Sequence, residues 1–260
     1  MRSKIIKNPL RNNYIILLVI VAILATVFFV NYEDINKKSE NSSNPEIEKI
    51  IADWISNNPE AIIESIQNMQ RKAAEEQIKN AQKNISLKKK ELYEDKDSPK
   101  NYAENYDVTI VEFFDYSCGY CKRAAATIEK LTKEDNKIRI IHKHFPILGQ
   151  SSNEMAQVAL AVNIAQPKYY LKFHQELMNS QERGKKAALD AAKKAGANIA
   201  KIEAVLEDKK NDIQSMISKN IQLGSSIGVS GTPGFVIGEE LIPGAVDIES
   251  FREKIKNLRK

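Results

Sequence analysis

The stretch that most constrains this chain runs from Val108 to Cys121. Val108-Thr-Ile-Val-Glu-Phe-Phe114 is a short apolar run rich in β-branched and aromatic residues, the pattern of a buried strand. Asp115 and Ser117 bound it. Ala124 to Leu131 then carries the apolar spacing of an amphipathic helix that starts near Cys121. At the turn between them stand Cys118 and Cys121, the only cysteines in 260 residues. A strand-to-helix turn presents free backbone amides and the positive end of the helix dipole, and both favour a negative charge. The position therefore favours a thiolate at Cys118. Cys121 lies about one helical turn further on, close enough to close a disulfide. This is the layout of a dithiol that is made and broken, not of a structural staple.

Four groups of residues carry a resemblance to known proteins: Glu112-Phe-Phe, Cys118-Gly-Tyr-Cys121, His144-Phe-Pro and Gly231-Thr232-Pro233. In this order they resemble the thioredoxin-fold disulfide oxidoreductases, and within them the DsbA-like periplasmic proteins, over roughly Val108 to Lys260. A looser likeness extends to DsbA-like proteins with an N-terminal helical extension. The resemblance implies an α/β thioredoxin fold with a helical insertion, and a protein-disulfide oxidoreductase or isomerase that needs no organic cofactor and no metal.

Composition is that of a globular chain, with 42% hydrophobic and 28% charged residues. The net charge of +5 is modest, and lysines alternate with acids along helical stretches. No basic patch with interleaved aromatics is present, so nucleic acid is not an expected partner. The N-terminus reads as a targeting segment. Arg2, Lys4, Lys7 and Arg11 precede the apolar or small-residue run Tyr14 to Val30, 17 residues long. That length suits a signal peptide or a signal anchor, and residues 1–30 are assigned to one or the other. The basic flank sends the rest of the chain across the membrane. The dithiol is thus expected in the periplasm, where disulfides form, with residues 14–30 as an optional inner-membrane tether.

Residues 31–44 read as a polar linker, and residues 45–97 as a helical extension broken at Asn57-Asn58-Pro59. Ile47, Ile50, Ile51, Trp54 and Ile55 share one face. Ile62, Ile66, Met69 and Ala73 follow at helical spacing, and Ile78, Ala81 and Ile85 continue after a shift. Two readings stay open: a helix packed on its own domain, or an oligomerising arm with a narrow apolar seam. Asp95 to Pro99 is a turn-rich boundary. The thioredoxin-like domain is placed at 101–260, with a second strand at Lys137 to Ile147 parallel to the first. Its helical insertion spans about 150–226. A hairpin follows at Phe235–Ile237 and Glu240–Ile242, and a last helix is capped by Asp247.

The resemblance assigns roles to residues. Cys118 is the nucleophile and Cys121 the resolving thiol. Thr232 and Pro233 match the Thr-Pro that lies against the Cys turn, where the threonine backbone pairs with substrate peptide. Glu112 matches an acid suited to relaying protons beneath the cysteines, with Lys143 as a candidate basic partner. Tyr120, together with Tyr116, offers an aromatic surface to substrates. DsbA-type oxidases usually carry Pro-His between the cysteines. Gly119-Tyr120 departs from that and matches dimeric periplasmic disulfide isomerases, so a less oxidising disulfide is expected. His142 and His144 raise a zinc alternative with the Cys pair, but His-x-His is unlike the common structural spacing. The expected partners are exported cysteine-containing proteins and a membrane redox protein that resets the pair. A non-enzymatic envelope protein that keeps the fold is the competing reading.

Overall fold

The computed structural model describes Thr26, residues 44–101 and residues 103–260. The basic segment, the apolar run and the linker lie outside these residues, save for Thr26 and Asn44. No helix among the described residues is long and apolar enough to cross a membrane. The chain divides into two units, Met1–Gln70 and Arg71–Lys260.

In the first unit, helix α1 spans Pro45–Asn57. Asn44 caps it by accepting from the Glu46 amide at 3.1 Å, and Glu46 and Glu48 sit in the first turn, where the dipole favours acids. The amides of Asn57 and Asn58 fold back on the carbonyls of Asp53 and Trp54, which ends the helix before Pro59. Helix α2, Pro59–Leu87, then begins. None of the α1 residues is buried, and Trp54 stays 52% exposed.

The second unit holds a four-stranded sheet. Its strands are β1 (Val108–Phe114), β2 (Ile138–His144), β3 (Gly234–Ile237) and β4 (Glu240–Pro243), in the order β2-β1-β3-β4. β1 and β2 are parallel, joined by α4 (Gly119–Glu134), while β3 is antiparallel to β1 and to β4. Side chains alternate across the sheet. Ile110, Ile140, Phe235 and Ile237 pack on α4 and on α10 (Ile248–Leu258), which Asp247 caps by accepting from the Ser250 amide at 2.8 Å. On the other face, Val111, Phe113, Ile141 and Val236 meet Ile85 and Leu92. The C-terminal end of α2 and the short helix α3 (Lys89–Tyr93) are therefore core elements of this unit. Of the expected seam, Ile66, Met69 and Ile78 are exposed, but Ile85 is not.

The insertion is five helices: α5 (Gln150–Ala165), α6 (Tyr170–Asn179), α7 (Gly184–Ala195), α8 (Ile199–Asp208) and α9 (Lys210–Ser226), with a 3-10 turn at Pro167–Tyr169. Alanines 187, 188, 191, 192 and 195 line the buried face of α7, so its backbone approaches its neighbours closely. This helical core is continuous with Phe114, Tyr116, Cys118 and Cys121 at the end of β1. The dithiol thus sits where the sheet domain meets the insertion.

Two expectations need correction. The helix after the first cysteine starts at Gly119, not at Cys121, because Cys118 itself takes the extended N-cap conformation and the Lys122 amide already bonds its carbonyl at 3.1 Å. β2 ends at His144, three residues early: the Phe145 amide still bonds the Phe114 carbonyl at 2.8 Å, but Pro146 has no amide to continue the ladder.

Candidate active site

The turn 115–118 is shaped by Asp115. Its carboxylate accepts from the Ser117 amide at 2.8 Å and from the Leu148 amide at 3.0 Å, and its carbonyl accepts from the Cys118 amide at 3.1 Å. This buried carboxylate pins two loops together and fixes Cys118 as the N-cap of α4. Cys118 retains 7% exposure and Cys121 none. Burial pushes the Cys121 thiol well up from its ordinary range, and the charges of Glu112 and Cys118 push in the same direction. Hydrogen bonds involving the Asp115 backbone and the Thr232 side chain offset this in part.

The strand end that faces the turn comes from the other side of the domain. Cys118 Sγ donates to the carbonyl oxygen of Thr232 at 3.2 Å. The Thr232–Pro233 bond is cis, and the Pro233 carbonyl accepts from the Gly244 amide at 2.8 Å. Tyr120 stands beside the pair with 59% exposure, its ring covered by the Arg123 guanidinium at 4.2 Å. Ile147 and Leu148, both exposed, follow the loop that Asp115 anchors.

Glu112 is buried, and its partner is not Lys143. Successive strand residues face opposite ways, so Lys143 points to the far side of the sheet, where it pairs with Asp95 and donates to the Glu91 carbonyl at 3.0 Å. The parallel register instead sets Glu112 beside His142, with Oε2 to Nδ1 at 3.2 Å. Tyr116 is likewise buried rather than offered to substrates, and its hydroxyl meets His174 Nδ1 at 3.0 Å. His144 lies in the same cluster against Tyr170, Oη to Nε2 at 3.3 Å. Neither histidine of β2 joins the cysteines. Burial holds the His174 and His144 rings neutral, the latter down to about 3, helped by the neighbouring His142.

Sequence reasoning missed His174 and Asp115. His174 is 30 residues beyond His144 on α6, with no spacing signal to β2. The position of Asp115 after an apolar strand marked only a boundary. A cleft of about 920 Å³ lined by Val108, Ile237 and Leu258 lies at the other end of β1 from Cys118, away from the thiols.

The fold is shared with known proteins. alpha-DsbA2 of Wolbachia pipientis, a thiol-disulfide exchange protein, is 33% identical, with 68% of this chain and 95% of that one covered at a TM-score of 0.65. The catalytic domain of ScsC from Proteus mirabilis is 31% identical over 69% and 99%, at 0.63. BcfH of Salmonella enterica Typhimurium covers 91% of this chain and 100% of its own at 0.71, but at 21% identity, a likeness of fold. Two curated relatives, the Na(+)/H(+) antiporters NhaA 3 of Salinispora tropica and NhaA 1 of Salinispora arenicola, are 23% identical over 145 residues, and the chain spans 22% of their length. The family model of the DSBA-like thioredoxin domain matches residues 109–256, more than half of the chain, and with these structures it shows that the chain belongs to that family.

Proposed function

We propose that this protein exchanges disulfides in exported, cysteine-containing proteins of the periplasm, through Cys118 and Cys121. The observation that carries the reading is the pairing of a thiol at a helix N-terminus with the Thr232 carbonyl, 3.2 Å away. An extended substrate segment laid along Thr232 would bring its sulfur to Cys118 Sγ, since backbone pairing supplies affinity with little sequence preference.

The Cys118 thiolate attacks one sulfur of a substrate disulfide. That S–S bond breaks, a Cys118–substrate mixed disulfide forms, and the other substrate sulfur leaves as a thiolate. Two outcomes follow. Another substrate thiolate displaces Cys118, which rearranges the substrate with no net oxidation. Alternatively Cys121 attacks Cys118 Sγ, the substrate leaves reduced, and Cys118–Cys121 closes. For the second path Cys121 must first lose its proton, which its burial opposes. Glu112, the nearby buried carboxylate, takes that proton in this reading. A membrane redox partner resets the pair.

The isomerase form of the activity is favoured by Gly119-Tyr120, which puts no histidine next to the thiolate. It is also favoured by the exposed apolar face of α1, with Ile47, Ile50, Ile51 and Trp54 all more than half exposed. An arm that joins copies through this face would present several active sites to one misfolded substrate. The retained dithiol and Thr-Pro weigh against a non-enzymatic envelope protein. The test is refolding of a scrambled-disulfide substrate by the soluble protein, with the Cys121→Ser variant probed on non-reducing gels. Recovery of substrate activity, with trapped adducts on Cys118, supports the reading. No exchange by the intact protein overturns it.

A further inference from the structure

All three histidines of the chain converge on the Phe114 ring, although they lie on two elements and 30 residues or more separate the last from the others. His142 and His174 stack with ring centroids 4.6 Å apart, and Glu112 closes the group. Glu112, His142 and His174 each keep 6% exposure or less. Burying a carboxylate and two imidazoles is costly unless their polar atoms are satisfied. Here one is not: Glu112 Oε1 is buried and has no hydrogen-bond partner among the described residues.

We propose that Glu112, His142 and His174 form a binding site for a divalent first-row cation, Zn²⁺ in the first instance, separate from the two cysteines. One carboxylate oxygen and one ring nitrogen from each histidine all lie within 4.8 Å of one another. Metal–ligand bonds of 2.0–2.2 Å set a tetrahedral edge of about 3.4 Å. The contact of Glu112 Oε2 with His142 Nδ1, at 3.2 Å, is already at that spacing, and the remaining separations, none above 4.8 Å, shorten when the metal is held. Two imidazoles and one carboxylate are a donor set that zinc accepts, with a fourth position left for water. A cavity of about 140 Å³, lined by Glu112, His142, His174 and the polar Asn101, Glu129 and Gln175, gives that water room. The outer shell fits as well. A metal-bound imidazole holds its orientation by donating its other N–H, and Tyr116 Oη stands 3.0 Å from Nδ1 of His174 to receive it.

The test uses the soluble protein with no polyhistidine tag and with Cys118→Ser and Cys121→Ser, so that thiolates contribute nothing. Because the chain has only three histidines, any imidazole-bound metal reports this cluster. Metal-free protein is titrated with Co²⁺, read by its visible d–d absorption, and then with Zn²⁺ in competition. One equivalent of Co²⁺ that Zn²⁺ displaces, with affinity falling more than a hundredfold in His174→Gln, is the expected result. No saturable binding by the thiol-free protein, or unchanged affinity in His174→Gln, overturns the site. Should His174→Gln fail to fold, Tyr116→Phe decides, since it keeps every histidine and Glu112 and removes one hydroxyl, the outer-shell acceptor, which also bonds Tyr170. A loss of about tenfold or more supports the site, and no loss overturns it. The readout is binding alone, so it is independent of whether the intact protein exchanges disulfides.

Discussion

The sulfur of Cys118 lies 3.2 Å from the carbonyl oxygen of Thr232, a residue 114 positions further along the chain. Cys121, only three positions away, is sealed behind it with no exposure. The two thiols are therefore chemically unequal before any substrate arrives. Cys118→Ser should abolish exchange, whereas Cys121→Ser should accumulate mixed disulfides with substrate. In the reduced protein, iodoacetamide near neutral pH should label Cys118 alone, as peptide mass spectrometry would show. Equal labelling, or equal trapping by both variants, contradicts the assignment.

Glu112 acts on the second step if it takes the proton of Cys121. Glu112→Gln keeps the shape and a contact to His142 but cannot take that proton. It should slow release of reduced substrate by roughly a hundredfold, with little effect on formation of the mixed disulfide. Stopped-flow measurement of the two phases separates these outcomes. A variant that slows both phases equally would mark Glu112 as structural.

On the far face, Asp95 and Lys143 make an ion pair whose lysine side chain is 1% exposed. Burial raises the Asp95 carboxyl, but the hydrogen bond and charge of Lys143, with Ser98 and the Asp97 amide, outweigh it and hold the carboxyl below its usual range. A carboxyl depressed on folding contributes stability above its unfolded pKa of about 3.9, and that contribution is lost as pH falls through the lower folded value. Urea unfolding of Asp95→Asn should therefore lose less stability than the parent on acidification below about pH 4. At pH 7 the same variant leaves Lys143 buried without its counter-charge and should cost about 3 kcal/mol. Lys143→Met, which removes the buried charge, should cost less. The reverse order would show that the pair is not what holds this corner.

Gly224 lets α9 approach the sheet. A Cβ there would lie 2.6 Å from the Phe145 ring and 3.0 Å from that of Phe113. Both rings are buried, so neither can swing away freely. Gly224→Ala should lower stability by about 1–3 kcal/mol, despite the better helix propensity of alanine. An unchanged melting temperature would show that the rings yield.

The proposed arm is tested by truncation, and the packing dictates where to cut. Removing residues through 100 would strip Ile85 and Leu92 from the core around Val111 and Phe113. A protein beginning at Arg71 keeps them. It should be monomeric by light scattering, retain thiol exchange and lose most of its isomerase activity. Undiminished isomerase activity would reduce the first unit to a spacer.

Much of the chain was legible in one dimension because its signals are local. The strand at 108–114 follows from an unbroken apolar run. The helix after it follows from apolar spacing. The Asp247 cap, the 238–239 turn and the break at Pro59 each follow from one or two residues. The meeting of Cys118 with Thr232 followed from motif order, since Thr-Pro after CxxC is a pattern that resemblance can read. What the sequence alone left open was partnership. Whether Lys143 or His142 meets Glu112 depends on the pleat and on the parallel register, and a one-residue change of face reverses the answer. Tyr116 is two residues from Cys118 and looked like surface, but α6 covers it and supplies His174. Ile85 continued an exposed seam in spacing, but the sheet face above it makes it core. These outcomes rest on contacts between residues tens of positions apart. Such contacts leave no periodicity in a single chain, so only the assembled layers decide them.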